Sequence, residues 1–361
     1  MSMTVGQYGT AGTSLILNEG IRQIQAEQSS VAWQTSQGTV SSSISELGSS
    51  QQTTLSLSPK LAELGAYQSN ISSIQNRLSL SSTALKQITD LAQSLNTQLL
   101  GMMSSEGSLS STSSAAADSA RLGLNNLGTI LNTADGNGYI FGGHATFTPP
   151  VATPSTLGDS QLAQTISGLV SGLNDSNSDT IFSKATSASA DNSTSMSVFS
   201  STLSLPADQA VYQRASDIIG PDRETLNVGV VATEGGQSSS TSTGSPIRDL
   251  MRDMMIMTSM KGMSTTTPGF SNLVRTLHNS LTDTTNQLID MNTTIGVTQN
   301  TLTRRQGIYS SVQLSIKEQL SNNLDVNLAE VATRSSDLSL QLKASFSLIA
   351  DMKNMSLADY L

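Results

Sequence analysis

The sequence contains no cysteine, which excludes a disulfide framework, a thiol nucleophile and Cys-ligated metal sites. It has two histidines, His144 and His278, and neither has a second His or an acidic residue at metal-ligand spacing. No Gly-rich loop ends in Gly-Lys-Ser/Thr, and no dinucleotide fingerprint occurs. Aromatic residues make up 4% and charged residues 12% of the 361 positions. With 36% apolar residues, the chain can bury a continuous seam but is poorly supplied for a thick globular core. No stretch approaches the ~20 consecutive apolar residues of a membrane span, so no membrane partner is expected. Residues 1–8 lack the basic start and apolar core of a cleaved secretory signal, and export would need another route. A net charge of −9 offers no basic face for phosphates, so nucleic acid is not an expected partner either. No catalytic residue, cofactor site or metal site rises above background, which points to a non-enzymatic protein.

What the sequence does have is periodicity. Leu64, Ile71, Leu78, Leu85, Ala92 and Leu99 recur every seven residues. A companion position three residues on reads Tyr67, Ile74, Ser81, Ile88, Leu95 and Met102. This narrow stripe predicts a helix of roughly 60 Å that pairs along its whole length. A second seam reads Val274, Leu281, Leu288, Ile295, Leu302, Tyr309 and Ile316, in a helix expected to start after Pro268-Gly269. Neither helix can hide its stripe alone. Two helices of matched length, far apart in sequence, predict an antiparallel pair closed by everything between them. Leu64, Ile71, Leu78, Leu85, Leu99, Leu281, Leu288, Ile295, Leu302 and Ile316 are its candidate packing residues.

Past an interruption at Asn322-Asn323, a weaker stripe runs through Leu328, Val331, Leu338, Leu342, Ile349 and Met352. The first sixty residues are similar, with Leu15, Ile21, Ile24, Val31 and Val40 in a polar, charge-poor background. Such ends bury too little to fold alone and are expected to order only against partners. Between the seams, residues 116–131 read as a shorter helix. The turn Asp135-Gly136-Asn137-Gly138 is followed by the strand-like Tyr139-Ile140-Phe141. Residues 150–244 are rich in Ser, Thr, Asn and Gly, with short β-like runs such as 225–231. Ser245-Pro246 predicts an N-cap and first-turn proline. The following Leu250, Met251, Met254, Met255, Met257, Met260 and Met263 read as adaptable core rather than a soft-metal site. Asp222-Arg223-Glu224 and Arg304-Arg305 read as solvated charges.

The fold class expected is mainly α, an elongated antiparallel helical bundle or coiled-coil rod with an inserted small β-containing module. Residues 1–60 form an N-terminal assembly segment, disordered in the free monomer and helical in the polymer. Residues 61–134 and 245–320 are the two halves of the rod, 135–244 the surface module, and 321–361 the C-terminal assembly helix.

Several segments carry a resemblance. Leu131-Asn132-Thr133-Ala134-Asp135-Gly136-Asn137-Gly138-Tyr139-Ile140-Phe141-Gly142-Gly143 resembles the helix-to-strand junction of flagellar hook-associated protein 3, the hook–filament junction family related to flagellin. The segment 227–234, followed by Ile247-Arg248-Asp249-Leu250, is similar to that family's return into its second helical half. Residues 325–334 and 338–349 resemble the flagellin-superfamily terminal helix, and Met355-Ser356-Leu357-Ala358-Asp359-Tyr360-Leu361 resembles the junction family's ending. At the N-terminus, Thr35-Ser36-Gln37-Gly38-Thr39 and Leu57-Ser58-Pro59 depart from the superfamily's basic and acidic-Asp-Pro motifs.

The resemblance implies an extracellular structural subunit of the bacterial flagellum. It would be exported through the flagellar type III channel and homo-oligomeric in a ring or helical layer. Its implied partners are the first hook-associated protein, flagellin, the export apparatus and an export chaperone. Flagellin itself is the alternative, and a non-flagellar signalling coiled coil a distant one.

Overall fold

The computed structural model describes residues 5–43, 45, 47, 48, 51–104 and 110–354. Among these the chain is mainly α, with nine α-helices and one two-stranded sheet. In order they are α1 (Val5–Gln37), α2 (Gln51–Ser104), α3 (Ser110–Leu131), α4 (Gln161–Ser171), α5 (Ser178–Ala190), α6 (Ala207–Ala210), β1 (Ala215–Gly220), β2 (Glu224–Val228), α7 (Pro246–Ser259), α8 (Phe270–Leu324) and α9 (Leu328–Asn354). They fall into two units, Met1–Ala66 with Ile308–Leu361, and Tyr67–Gly307. These borders differ from the sequence reading. Helix α2 runs through the expected break at 60/61 with Pro59 inside it, and residues 135–244 belong to the same unit as the helices on either side.

Within Tyr67–Gly307 the long helices run antiparallel. Gln306 and Thr303 on α8 bond Ser72 and Gln75 on α2, Asn292 bonds Ser82, and Thr282 bonds Asn96. As the number rises on one helix it falls on the other. Ile71, Leu78, Leu85, Leu99, Leu281, Leu288, Ile295 and Leu302 are all buried here, as are the two small seam residues, Ser81 and Ala92. In the other unit Ile316 is buried and Leu64 half-buried. Serine and threonine favour caps and turns over helix interiors. Here their hydroxyls fold back onto the carbonyl four residues earlier, Ser81 on Arg77, Thr89 on Leu85 and Thr285 on Leu281. That satisfies the hydroxyl without demanding a partner across the seam.

The middle of the chain is more helical than its composition suggests. Helix α4 is capped by Ser160, whose hydroxyl accepts from the Ala163 N–H, and it buries Leu162, Ile166 and Val170 at four-residue spacing. Helix α5 buries Ile181, Phe182 and Ala185, and both pack on α7. The strand expected at Tyr139-Ile140-Phe141 is not formed. One isolated bridge joins Ala134 and Tyr139, and Ile140 and Phe141 enter the core from turns. The sheet is the antiparallel hairpin of β1 and β2, whose turn holds Asp222 at φ 56° and Arg223 at φ 58°. Two successive left-handed residues suit a tight hairpin but cost a side chain about 1 kcal/mol each. Arg223→Gly is therefore expected to raise stability by about 0.5–1 kcal/mol, read as a higher urea midpoint. The flanking Glu224 is not a free surface charge. It pairs with Arg305 at 2.5 Å, and that hydrogen bond holds its carboxyl below the ordinary value.

Helix α7 is buried on every side from Pro246 to Met257. Met251, Met254, Met255, Met257 and Met260 are buried and Met263 half-buried. Ser245 holds the N-cap position but makes no side-chain cap; the Asp249 carboxylate instead accepts from the Thr243 N–H at 2.8 Å and the Ser242 hydroxyl at 2.5 Å. Full burial also brings four charges inside. The Arg252 guanidinium donates to Asp253 (2.9 Å), Asp249 (3.1 Å), Thr186 (2.9 Å), Ser280 (2.6 Å) and the Thr241 carbonyl (3.0 Å), and lies 4.3 Å over the Phe182 ring. Arg248 donates to Asn192 and to the Leu203 and Leu205 carbonyls, and burial lowers its pKa to about 10, so it stays charged at neutral pH.

Desolvation pushes the Asp253 carboxyl up to about 6, against the opposing pull of Arg252 and Ser280. Its folded value thus exceeds its unfolded value near 3.8, and between the two the folded state holds the extra proton. From this group stability falls as pH rises from about 4 to about 6. Glu224, shifted the other way, loses its contribution only below its ordinary value of 4.5. Urea midpoints should rise on acidification from about pH 7 to about pH 5 in the natural chain, and rise less in Asp253→Asn. Equal slopes would contradict the assignment.

Candidate functional site

The candidate site is the pair of terminal helices in the unit of Met1–Ala66 and Ile308–Leu361. Helix α1 ends where Gly38, at φ +73°, returns its N–H to the Gln34 carbonyl. Helix α8 ends at Leu324, not at Asn322-Asn323 where the seam weakens. The two ends are stitched together. The Val40 N–H donates to the Leu324 carbonyl at 2.8 Å, the Val326 N–H donates to the Gly38 carbonyl at 3.0 Å, and Thr39 bridges Asp325. Asn327 then caps α9 by accepting from the Ala329 N–H at 3.1 Å.

From this joint α9 runs back antiparallel along α1. Val31, Val331 and Leu338 form a small core, with Ile24 and Val326 packed against it. Arg334 pairs with Glu27 at 3.4 Å, an exposed contact worth little on its own. The structure places the expected assembly residues unevenly. Val331 and Leu338 are buried, and Leu342 and Ile349 are half-buried on the same stripe. Leu328 is instead 56% exposed. Three residues advance a helix by only about 300°, which leaves Leu328 roughly 60° around from Val331. The side chain of Met352 and residues 355–361 lie outside the described residues.

The sequence reading missed the outward faces. Leu15 is 70% exposed and Leu340 65%, and Ile16, Trp33, Phe346 and Leu348 are also exposed. With Leu328, seven large apolar side chains on α1 and α9 point to solvent, against four that are buried (Ile21, Val31, Val331, Leu338), among the described side chains. Ile308, Val312 and Leu314 on α8 extend the set within the same unit. Single exposed apolar residues are ordinary, but an excess of outward over inward ones on one helix pair is the mark of an unfilled interface. Burying each would contribute about 1.5–3 kcal/mol.

Chemistry is sparse elsewhere. Among the described residues no group of three His, Cys, Asp or Glu could hold a metal ion, and no helix is long and apolar enough to cross a membrane. His278 Nδ1 lies 2.5 Å from the Asn96 side-chain oxygen on the neighbouring helix, a packing contact, and His144 is exposed.

Residues 9–146 match the family described as the bacterial flagellin N-terminal helical region. The match spans most of α1, all of α2 and α3, and the turn after Leu131. It includes the two segments, 35–39 and 57–59, that lack the usual superfamily motifs. The fold is similar to that of a solved protein from Vibrio parahaemolyticus assigned as a flagellar hook-associated protein, at 14% identity and a TM-score of 0.52, over 76% of this chain and 98% of that one. No curated protein matches the sequence.

Proposed function

We propose that this chain, a flagellin-superfamily structural subunit of the bacterial flagellum, joins the hook to the filament as a junction protein. The observation that carries a self-assembling role is the excess of outward apolar side chains on α1 and α9. Terminal helices of neighbouring subunits would bury those faces in one another, in a layer of the chain's own copies. Ordering of the ends would then accompany assembly, which keeps the monomer from polymerising early.

The junction position is supported by the resemblance of residues 131–143 to the junction family and by the fold shared with a protein assigned as hook-associated. The first hook-associated protein would contact one side and flagellin the other, after passage through the export apparatus with a chaperone. The second reading is flagellin itself, favoured by the description of the family matched over residues 9–146.

Deleting the gene and inspecting flagella separates the two. A junction role predicts intact hooks with monomeric flagellin shed into the medium. Loss of the filament subunit with junctions unaltered would identify a flagellin. Normal flagella and motility would overturn both readings.

A further inference from the structure

A cavity of about 10 Å³ lies in the Tyr67–Gly307 unit among α4, α5, α7 and residues 197–199, lined by Leu162, Ser189, Ser197, Phe199, Arg248 and Met251 among others. It has room for one water or one monatomic ion and nothing larger. Two polar side chains of its wall are buried without a full set of partners. Arg248 is 3% and Ser189 7% exposed, and Arg248 Nε and Ser189 Oγ have no hydrogen-bond partner among the described residues. Ser189 lacks the return to the carbonyl four residues earlier that Thr186 makes on the same helix. The third polar side chain, Ser197, accepts from the Phe199 N–H at 3.3 Å and the Ser204 hydroxyl at 2.8 Å, which leaves its own proton available.

Arg248 is also a buried cation that makes no ion pair among the described residues. Its Nη2 donates to Asn192 Oδ1 and to the Leu203 and Leu205 carbonyls, and the guanidinium lies 5.4 Å over the Phe199 ring. The adjacent Asp249 is engaged elsewhere, by Arg252, the Thr243 N–H and the Ser242 hydroxyl. Buried charges are ordinarily paired, so the position calls for a counter-ion.

We propose that this cavity is a binding site for a halide ion, chloride being the common one, held by the Arg248 guanidinium and the Ser189 and Ser197 hydroxyls. All three groups can donate, and an acceptor-only occupant uses each of them. A water would bring two protons of its own into a wall whose remaining side chains, Leu162, Val198, Phe199 and Met251, are apolar. A cation would face the guanidinium, and sulfate or phosphate exceeds the space. Leu162 and Arg248 stand in the first turns of α4 and α7, whose partial positive ends favour an anion; only the last turn of α5, at Ser189, opposes it. The bound ion would tie α5 to α7 and to residues 197–199.

Thermal midpoints of the full chain should be measured at constant ionic strength while sodium gluconate, whose anion is too large for the cavity, is exchanged for sodium chloride or bromide. Exchange of about 200 mM is expected to raise the midpoint by about 2–5 °C, with saturation. The chain should also broaden the chloride NMR line, and bromide should reverse the broadening. Ser189→Ala removes one donor and leaves the guanidinium in place. It should weaken halide binding about fivefold or more with unchanged circular dichroism. Arg248→Met should abolish binding; should that variant fail to fold, Ser189→Ala decides alone. The proposal is overturned if either measurement is indifferent to halide, which would make the occupant a water only. It is equally overturned if Ser189→Ala binds halide as tightly as the natural chain, because the ions would then sit elsewhere.

Discussion

Replacing Arg252 with alanine is expected to destabilise the Tyr67–Gly307 unit by roughly 3–5 kcal/mol, the usual cost of breaking a fully buried charge network. The guanidinium is completely buried and is the common partner of Asp249 and Asp253. Its removal strands both carboxylates and takes a partner from Thr186, Ser280 and the Thr241 carbonyl. For a unit of this size the thermal midpoint should fall by about 10 °C. Arg252→Lys should recover little, since one ammonium cannot reproduce five donations made in a planar fork. Combining Arg252→Met with Asp249→Asn and Asp253→Asn should recover part of the loss, because the desolvated charges go together. A midpoint unchanged in Arg252→Ala would show that the network does not hold α5, α7 and α8 together.

If the proposed flagellar role holds, Val331→Asp or Leu338→Asp should abolish incorporation into the flagellum while leaving the thermal midpoint of the Tyr67–Gly307 unit in place. Both side chains are 4% exposed in the small core between α1 and α9, and an unpaired carboxylate there costs several kcal/mol. The more telling substitution is on the outward face. Leu340→Asp touches nothing in that core, so the α1–α9 pairing should survive it. If the outward face is the contact between copies, Leu340→Asp should still fail to complement a deletion strain. Leu122→Asp, equally exposed on α3 but outside this helix pair, should complement it normally. Full complementation by Leu340→Asp would remove the outward face from the assembly surface.

The long helices and their antiparallel pairing were legible in the sequence because a seven-residue apolar repeat has one efficient solution, burial against a partner stripe. The start of α7 was legible through Pro246 and that of α8 through Pro268-Gly269. Helices α4 and α5 were obscured by a Ser- and Asn-rich background that favours turns, although Leu162, Ile166 and Val170 carried the four-residue spacing in plain view. The β-like Tyr139-Ile140-Phe141 pattern was real as apolar content but too short to find a second strand, so the turns around it bury Ile140 and Phe141 instead.

The sequence by itself determined the class of the protein: little charge, few aromatics and two apolar seams allow long paired helices and little else. Only the tertiary structure decided where the charges of α7 lie. Arg248, Asp249, Arg252 and Asp253 would read as the wet side of an amphipathic helix, and they are buried because other elements, α3, α4 and α5 among them, close on α7 from several sides. It likewise decided which apolar residues of α1 and α9 face inward. A single helix sets the angles between its side chains, but the position of its neighbour settles which of them meet a partner and which stay exposed.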